Sequence, residues 1–156
     1  HAVDRHGRTA AWTGQNCVEW CGSVSAGGIS VAGNMLAGEA VVAATLEAWK
    51  SGSALDMPDR LMAAMEAGQD AGGDRRGRQS AAMVMVTTED FPDLDLRVDD
   101  HADPLVELRR LLGLWKEQGM PRVGMAPSKA NPSGFTDLNV IEAGWAARGI
   151  ELRFRR

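Results

Sequence analysis

Hydrophobic and polar positions along the chain switch between a period of two and a period near 3.6, and the switches mark the elements. Residues 2–4 and 9–13 form two short extended runs around Arg5-His6-Gly7-Arg8, the pattern of a hairpin. Ile29-Ser30-Val31-Ala32 is a further strand that ends at the turn signal Gly33-Asn34. From residue 39 to about residue 49, Val42, Leu46 and Trp49 recur at helical spacing. Ser51-Gly52-Ser53 closes that helix, and Asp56 with Pro58 opens the next, whose buried stripe is Leu61, Met62 and Met65. This second helix is expected to weaken at Gly68 and to end at Gly72-Gly73. The run from Gln79 to Val86 is apolar without alternation after its polar start, which predicts a central strand covered on both faces. Leu94, Leu96 and Val98 alternate with Asp93, Asp95, Arg97 and Asp99, as in a strand with one buried face. Asp103-Pro104 opens a third helix carrying Leu105, Leu108, Leu112 and Trp115, with Gly119 and Pro121 as its stop.

Beyond Pro121 the texture changes. Pro127, Asn131, Pro132, Ser133 and Gly134 form a linker-like stretch, followed by a short helix over residues 136–147 and a last strand over residues 150–154. The expected organisation is therefore a main domain, residues 1–119, and an appendage, residues 120–156. Strands, two helices, two strands and a helix, in that order, describe an α+β fold with mostly antiparallel sheets. A strand that begins at residue 1 leaves no slack ahead of it, so the chain reads as the later piece of a longer protein or the product of a cleavage.

Composition narrows the class. The 156 residues suffice for one ordinary domain, and a charged fraction of 24% beside 44% hydrophobic residues is that of a globular protein. No stretch approaches a membrane span, and the first residues lack the apolar core of a signal peptide. A net charge of −4 argues against a globally basic nucleic-acid surface. Neither a nucleic acid nor a membrane is an expected partner. Cys17 and Cys21 have no second pair to complete a zinc site, so they read as free thiols in a reducing compartment, placing the protein in the cytoplasm.

The densest chemistry lies in Gly72-Gly73-Asp74-Arg75-Arg76-Gly77-Arg78-Gln79-Ser80. Glycines permit close backbone approach and positive φ, and guanidinium groups grip carboxylates through paired hydrogen bonds. Asp74, Arg75, Arg76, Arg78, Gln79 and Ser80 are the candidate substrate-binding residues. The same pattern also suits a solvated turn whose charges pair with neighbouring acids. Asn34 is a candidate oxyanion stabiliser through its side-chain amide, and equally a turn residue after Gly33. Asp99, Asp100, His101 and Asp103 bear oxygen and nitrogen ligands of the kind that hold divalent metals. Asp103 is already spent as a helix cap and Asp99 faces outward from its strand, so no metal site is expected. His101 has no serine or cysteine nucleophile announced beside it to serve as a base. A copper site at His1 is unexpected in a chain without tyrosine. No cofactor is expected.

Val31-Ala32-Gly33-Asn34-Met35-Leu36-Ala37-Gly38, the stretch from Leu61 to Gln69, the arginine-rich motif and Asp95-Leu96-Arg97-Val98-Asp99-Asp100-His101 together resemble a bacterial and archaeal family of unknown function grouped with the N-terminal-nucleophile (Ntn) hydrolases. The resemblance spans about residues 2–115. It implies a four-layer αββα sandwich, two antiparallel sheets between helical layers. Relatives begin with a threonine whose hydroxyl attacks a carbonyl while its own α-amine acts as base. Here residue 1 is His, and Ser23 stands where relatives place a histidine. The resemblance therefore implies that the loop from Asp74 to Ser80 and Asn34 form a substrate-facing wall. The nucleophile would come from an N-terminal segment or companion chain.

These readings lead to part of an Ntn-type amidohydrolase or peptidase that acts on a small carboxylate-bearing amide, without a cofactor and assembled as a homo-oligomer. Two alternatives stand beside it. One is a non-catalytic module that binds carboxylates with the same loop. The other is an assembly subunit whose open sheet edge pairs with another chain.

Overall fold

The computed structural model describes residues 1–150 and divides them into two units, His1–Gln79 with Asp100–Leu105, and Ser80–Asp99 with the chain from Val106 onward. The strand expected over residues 150–154 lies mostly outside the described residues.

In the first unit, β1 (Ala2–Val3) and β2 (Thr9–Ala10) form the expected hairpin, shorter than its sequence run. Its turn is closed by the Asp4 carboxylate, which accepts from the backbone of His6 and Arg8 and from Arg8 Nε. β3 (Gly22–Ala26) and β4 (Ile29–Gly33) form a second antiparallel hairpin. The sequence pattern gave only β4. Its partner, Gly-Ser-Val-Ser-Ala, offers one large apolar side chain, too few for a visible alternation.

α1 (Glu39–Ser51) lies against β3 and β4 and packs on α2 (Met57–Asp70). Val41, Val42 and Leu46 of α1 are buried, as are Met62 and Ala64 of α2. Asp56 caps α2 by accepting from Asp59 N at 3.0 Å, with Pro58 in the first turn. α2 does not weaken at Gly68. A Cβ there would meet Thr45 Oγ1 of α1, so this glycine serves close helix–helix approach. Trp49 and Arg60 seal the far end of the pair. The Arg60 guanidinium stacks 3.9 Å from the indole centroid, and its Nε donates to Trp49 O at 2.6 Å.

In the second unit, β5 (Ala81–Met85) pairs antiparallel with β6 (Leu94–Val98). β6 behaves as its alternation predicts, with Leu94 and Val98 buried and Asp95 and Arg97 exposed. β5 corrects the expectation of a strand covered on both faces. Met83 is buried, whereas Val84 is 58% exposed and β6 is its one partner among the described residues. A run of small and apolar residues satisfies two-sided burial by composition, but only one side of this strand is covered.

α3 (Pro104–Leu114) buries Leu108 and Leu112. Gly119 and Pro121 do not stop the helical path. Residues Trp115–Gly119 widen into a π turn in which Met120 N donates to Trp115 O, and α4 (Met120–Val123) follows. Pro121 lacks the N–H that an α-turn would need, so the wider turn accommodates it near the start of the new helix. α5 (Leu138–Ala146) is shorter than expected and is capped by Asp137, which accepts from Asn139 N at 2.9 Å. The architecture is α+β, helices with small antiparallel sheets. No helix among the described residues is long and apolar enough to cross a membrane.

The α1–α2 contact yields a stability test. Thr45 Oγ1 is fixed where it stands by donating to Val41 O at 2.8 Å. Gly68→Ala is expected to destabilise the protein by about 1–3 kcal/mol through overpacking, despite alanine's better helix propensity. Adding Thr45→Ala should recover most of that loss. Urea denaturation of the single and double variants measures both.

Candidate functional site

The loop that follows α2 is shaped by its backbone before its charges matter. Gly72 has φ +119° and Gly73 φ +56°, both in territory that side chains disfavour. Space excludes a Cβ on Gly72 as well, since it would fall 2.6 Å from Ala37 Cβ, whereas one on Gly73 would meet only the movable amide of Gln69, 2.9 Å away at Nε2. The chain then forms an antiparallel bridge between Asp74 and Leu36. Ala37 N donates to Gly73 O at 2.9 Å and Arg75 N to Met35 O at 2.9 Å. On its other side the strap through Met35 and Leu36 donates to Val18 O and Trp20 O, each at 3.0 Å. Asn34 begins this strap, directly after β4, and Met35 is the one non-glycine residue with positive φ among the described residues.

Side chains divide the candidates into committed and free groups. Arg76 folds back on Asp74, with Nη2 to Oδ2 at 2.5 Å and Nε to Oδ1 at 2.9 Å. The Arg76 backbone N donates to the same carboxylate at 2.8 Å. Arg78 reaches Asp103 at 3.0 Å and Ala102 O at 3.4 Å. Gln79 Nε2 donates to Asp100 Oδ1 at 3.1 Å, while His101 N donates to Gln79 O at 2.9 Å. These three side chains hold the loop rather than display it. Ser80 is exposed and belongs to the second unit. Arg75 is exposed, and its guanidinium makes no hydrogen bond or ion pair among the described residues. The Asn34 carboxamide is likewise exposed without a hydrogen bond among them. The bridge therefore brings together the backbones that carry the two uncommitted polar side chains.

Electrostatics agree with that division. Asp74 is held at about 2, first by the side-chain hydrogen bond from Arg76 and then by the backbone bond of that residue. Arg76 and Arg78 each form an ion pair with one aspartate, whereas Arg75 acts on Asp74 only through its field and makes no ion pair among the described residues. A lone guanidinium on a fixed backbone suits bidentate capture of a planar carboxylate. Cys21 offers no activated nucleophile, because burial, with Cys17 and Glu19 nearby, pushes its thiol up from the ordinary range.

The acidic stretch before α3 is engaged elsewhere. Asp99 pairs with Arg97 at 2.8 Å, Asp100 with Gln79 and Asp103 with Arg78. His101 Nδ1 lies 2.8 Å from Asp103 O and 2.9 Å from Asp103 N. Among the described residues no three His, Cys, Asp or Glu side chains gather as a metal site. His1 Nδ1 sits 3.2 Å from Ser30 Oγ. Sequence reasoning missed the partners of the loop, namely the Asn34–Ala37 strap and the carbonyls of Val18 and Trp20. Backbone hydrogen bonds carry these contacts, and such bonds leave no residue-type signature.

The family model for DUF1028, a family of unknown function, matches residues 1–108. The fold is similar to the crystal structure of a DUF1028 protein from Silicibacter pomeroyi, with a TM-score of 0.75 and 30% sequence identity. That similarity covers 86% of this chain and 60% of the other, so the chain spans about three-fifths of that protein's length. No curated protein matches the sequence.

The Asp74–Arg76 pair makes a titration test. Its carboxyl is depressed from 3.8 to about 2, so the folded state binds this proton more weakly than the unfolded chain. The pair's stabilisation is complete above pH 4 and is lost as pH falls through about 2. Carboxyl-carbon NMR should give an Asp74 midpoint near 2 in the native chain. Arg76→Ala should return it towards 3.8.

Proposed function

The chain belongs to the DUF1028 family, and from that premise we propose that it carries the carboxylate-recognising wall of an Ntn-type amide hydrolase whose nucleophile comes from polypeptide outside these residues. In this reading the described elements are part of a four-layer αββα sandwich, completed by an N-terminal segment or a companion chain. The exposed outer face of β5 at Val84, with the exposed Val86 just beyond its end, supports a further layer of polypeptide packing there. The free thiols of Cys17 and Cys21 suit a reducing compartment and support the cytoplasm as its place.

One observation carries the reading. Of the loop's three arginines, Arg75 alone makes no ion pair among the described residues, and its backbone is bonded to the residue next to Asn34. Arg75 would hold the substrate's carboxylate away from the reacting carbonyl and so fix its orientation. The nucleophile's hydroxyl oxygen would add to the amide carbon, its proton passing to the α-amine. The resulting oxyanion would accept a hydrogen bond from Asn34 Nδ2. Collapse breaks the C–N bond as the departing nitrogen takes that proton, leaving an ester. Water then hydrolyses the ester, which releases the acid and restores the hydroxyl.

The test uses the full-length protein and a panel of N-acyl amino acids paired with their neutral carboxamides. Arg75→Ala should raise KM for the carboxylate substrates about 10–100-fold and leave the neutral ones unchanged. Asn34→Ala should lower kcat about 100-fold. Turnover of no panel member ends the hydrolase reading. Arg75-dependent binding of small carboxylates without turnover would instead identify a non-catalytic binding module.

A further inference from the structure

We propose that the second unit carries a separate ligand site, a cleft of about 270 Å3 between α4 and the end of α5 that takes a small amphipathic carboxylate. Met120, Pro121, Gly124, Met125, Phe135 and Arg148 line it. Nothing in this site depends on Arg75 or on the hydrolase reading.

Local structure builds the cleft. The π turn over Trp115–Gly119 sets the start of α4, where Met120 and Pro121 form one wall. Phe135 N donates to Met125 O at 3.1 Å, which brings Phe135 alongside Met125. Gly134, at φ +62°, lets the returning chain approach so closely that a Cβ would fall 2.9 Å from Pro127 N. Gly144 of α5 also lacks a Cβ, and Met125 Cε occupies that space. Two thioethers and a phenyl ring give an adaptable apolar lining.

Two polar groups in this region lack counterparts. Arg148 closes one side of the cleft, exposed and without an ion pair or side-chain hydrogen bond among the described residues. The other nearby guanidinium, Arg122, lies over the Trp145 ring, 5.5 Å from its centroid. The Trp145 indole Nε1–H, one residue beyond Gly144, is buried and has no acceptor among the described residues. Of the two, the Arg148 guanidinium lines the cleft and calls for an acceptor oxygen there. The apolar lining selects an organic acid over inorganic phosphate. The volume suits a body of about eight carbons, at the small end of ligand pockets.

Octanoate is the probe, titrated into the full chain while methionine-methyl and indole N–H resonances are followed by NMR. Saturable shifts of Met120, Met125 and Trp145 with Kd of about 1 mM are expected. Arg148→Gln should weaken binding about tenfold or more, with Arg148→Lys intermediate. Octanol should bind about tenfold more weakly than octanoate. Arg148 is exposed, and an unchanged circular dichroism spectrum verifies the folding of its variants. Absence of saturable shifts, equal affinity in Arg148→Gln, or equal affinity for octanol would each overturn the proposal.

Discussion

The first unit's chemistry depends on a strap of backbone from Asn34 to Ala37, hydrogen-bonded on both sides. Val18 and Trp20 accept from it on one flank, and Gly73 and Arg75 exchange bonds with it on the other. Each such bond contributes only about 1 kcal/mol to stability, but together they set the register of three segments distant in sequence. The loop after α2 cannot drift relative to Asn34 while this ladder stands. Its two glycines are the condition for the approach, since a side chain at either would meet the strap or Gln69.

On this frame the charged residues do different work. Asp74 and Arg76 neutralise each other within three residues, and Arg78 and Gln79 tie the loop's far end to the turn before α3. These exposed pairs add little stability. Their effect is to use up the conformational freedom of a glycine-rich loop, so that Arg75 is presented from a settled backbone. Four free guanidinium-bearing and amide side chains would form a diffuse polar patch. One free guanidinium on a tied loop has a direction.

How much of this was legible in the sequence follows from which physics set each element. β6 and α1 were readable because burial on one side writes a period into residue types, and Leu94, Val98, Val42 and Leu46 are the buried positions. The cap of α2 was readable because Asp56 and Pro58 have roles tied to their chemistry. β3 was not readable, since a strand whose one large apolar side chain is Val24, among glycine, serine and alanine, carries almost no pattern. β5 misled in the opposite sense. Its apolar run suggested cover on both faces, yet Val84 is open. Gly68 was read through helix propensity, whereas its role is set by Thr45 on another helix. The arginine loop was legible as a cluster, but the division between committed and free arginines was not. That division depends on Asp103 lying within reach of Arg78, a tertiary fact 25 residues away in sequence.

The helical path after Leu114 shows the same limit. Glycine and proline are the strongest local breakers, and Gly119 and Pro121 sit two residues apart. A break would leave several carbonyls without donors. The chain instead shifts one bond to the i+5 partner, from Met120 N to Trp115 O, and resumes. Gly119 makes this possible, because a Cβ there would strike the Trp115 ring at 2.6 Å. Residues that would end an isolated helix become, beside a large aromatic side chain, the means of widening one turn. The widened turn in turn sets where Met120 and Pro121 stand, so a feature that looks like a defect in the sequence determines the wall of a cleft.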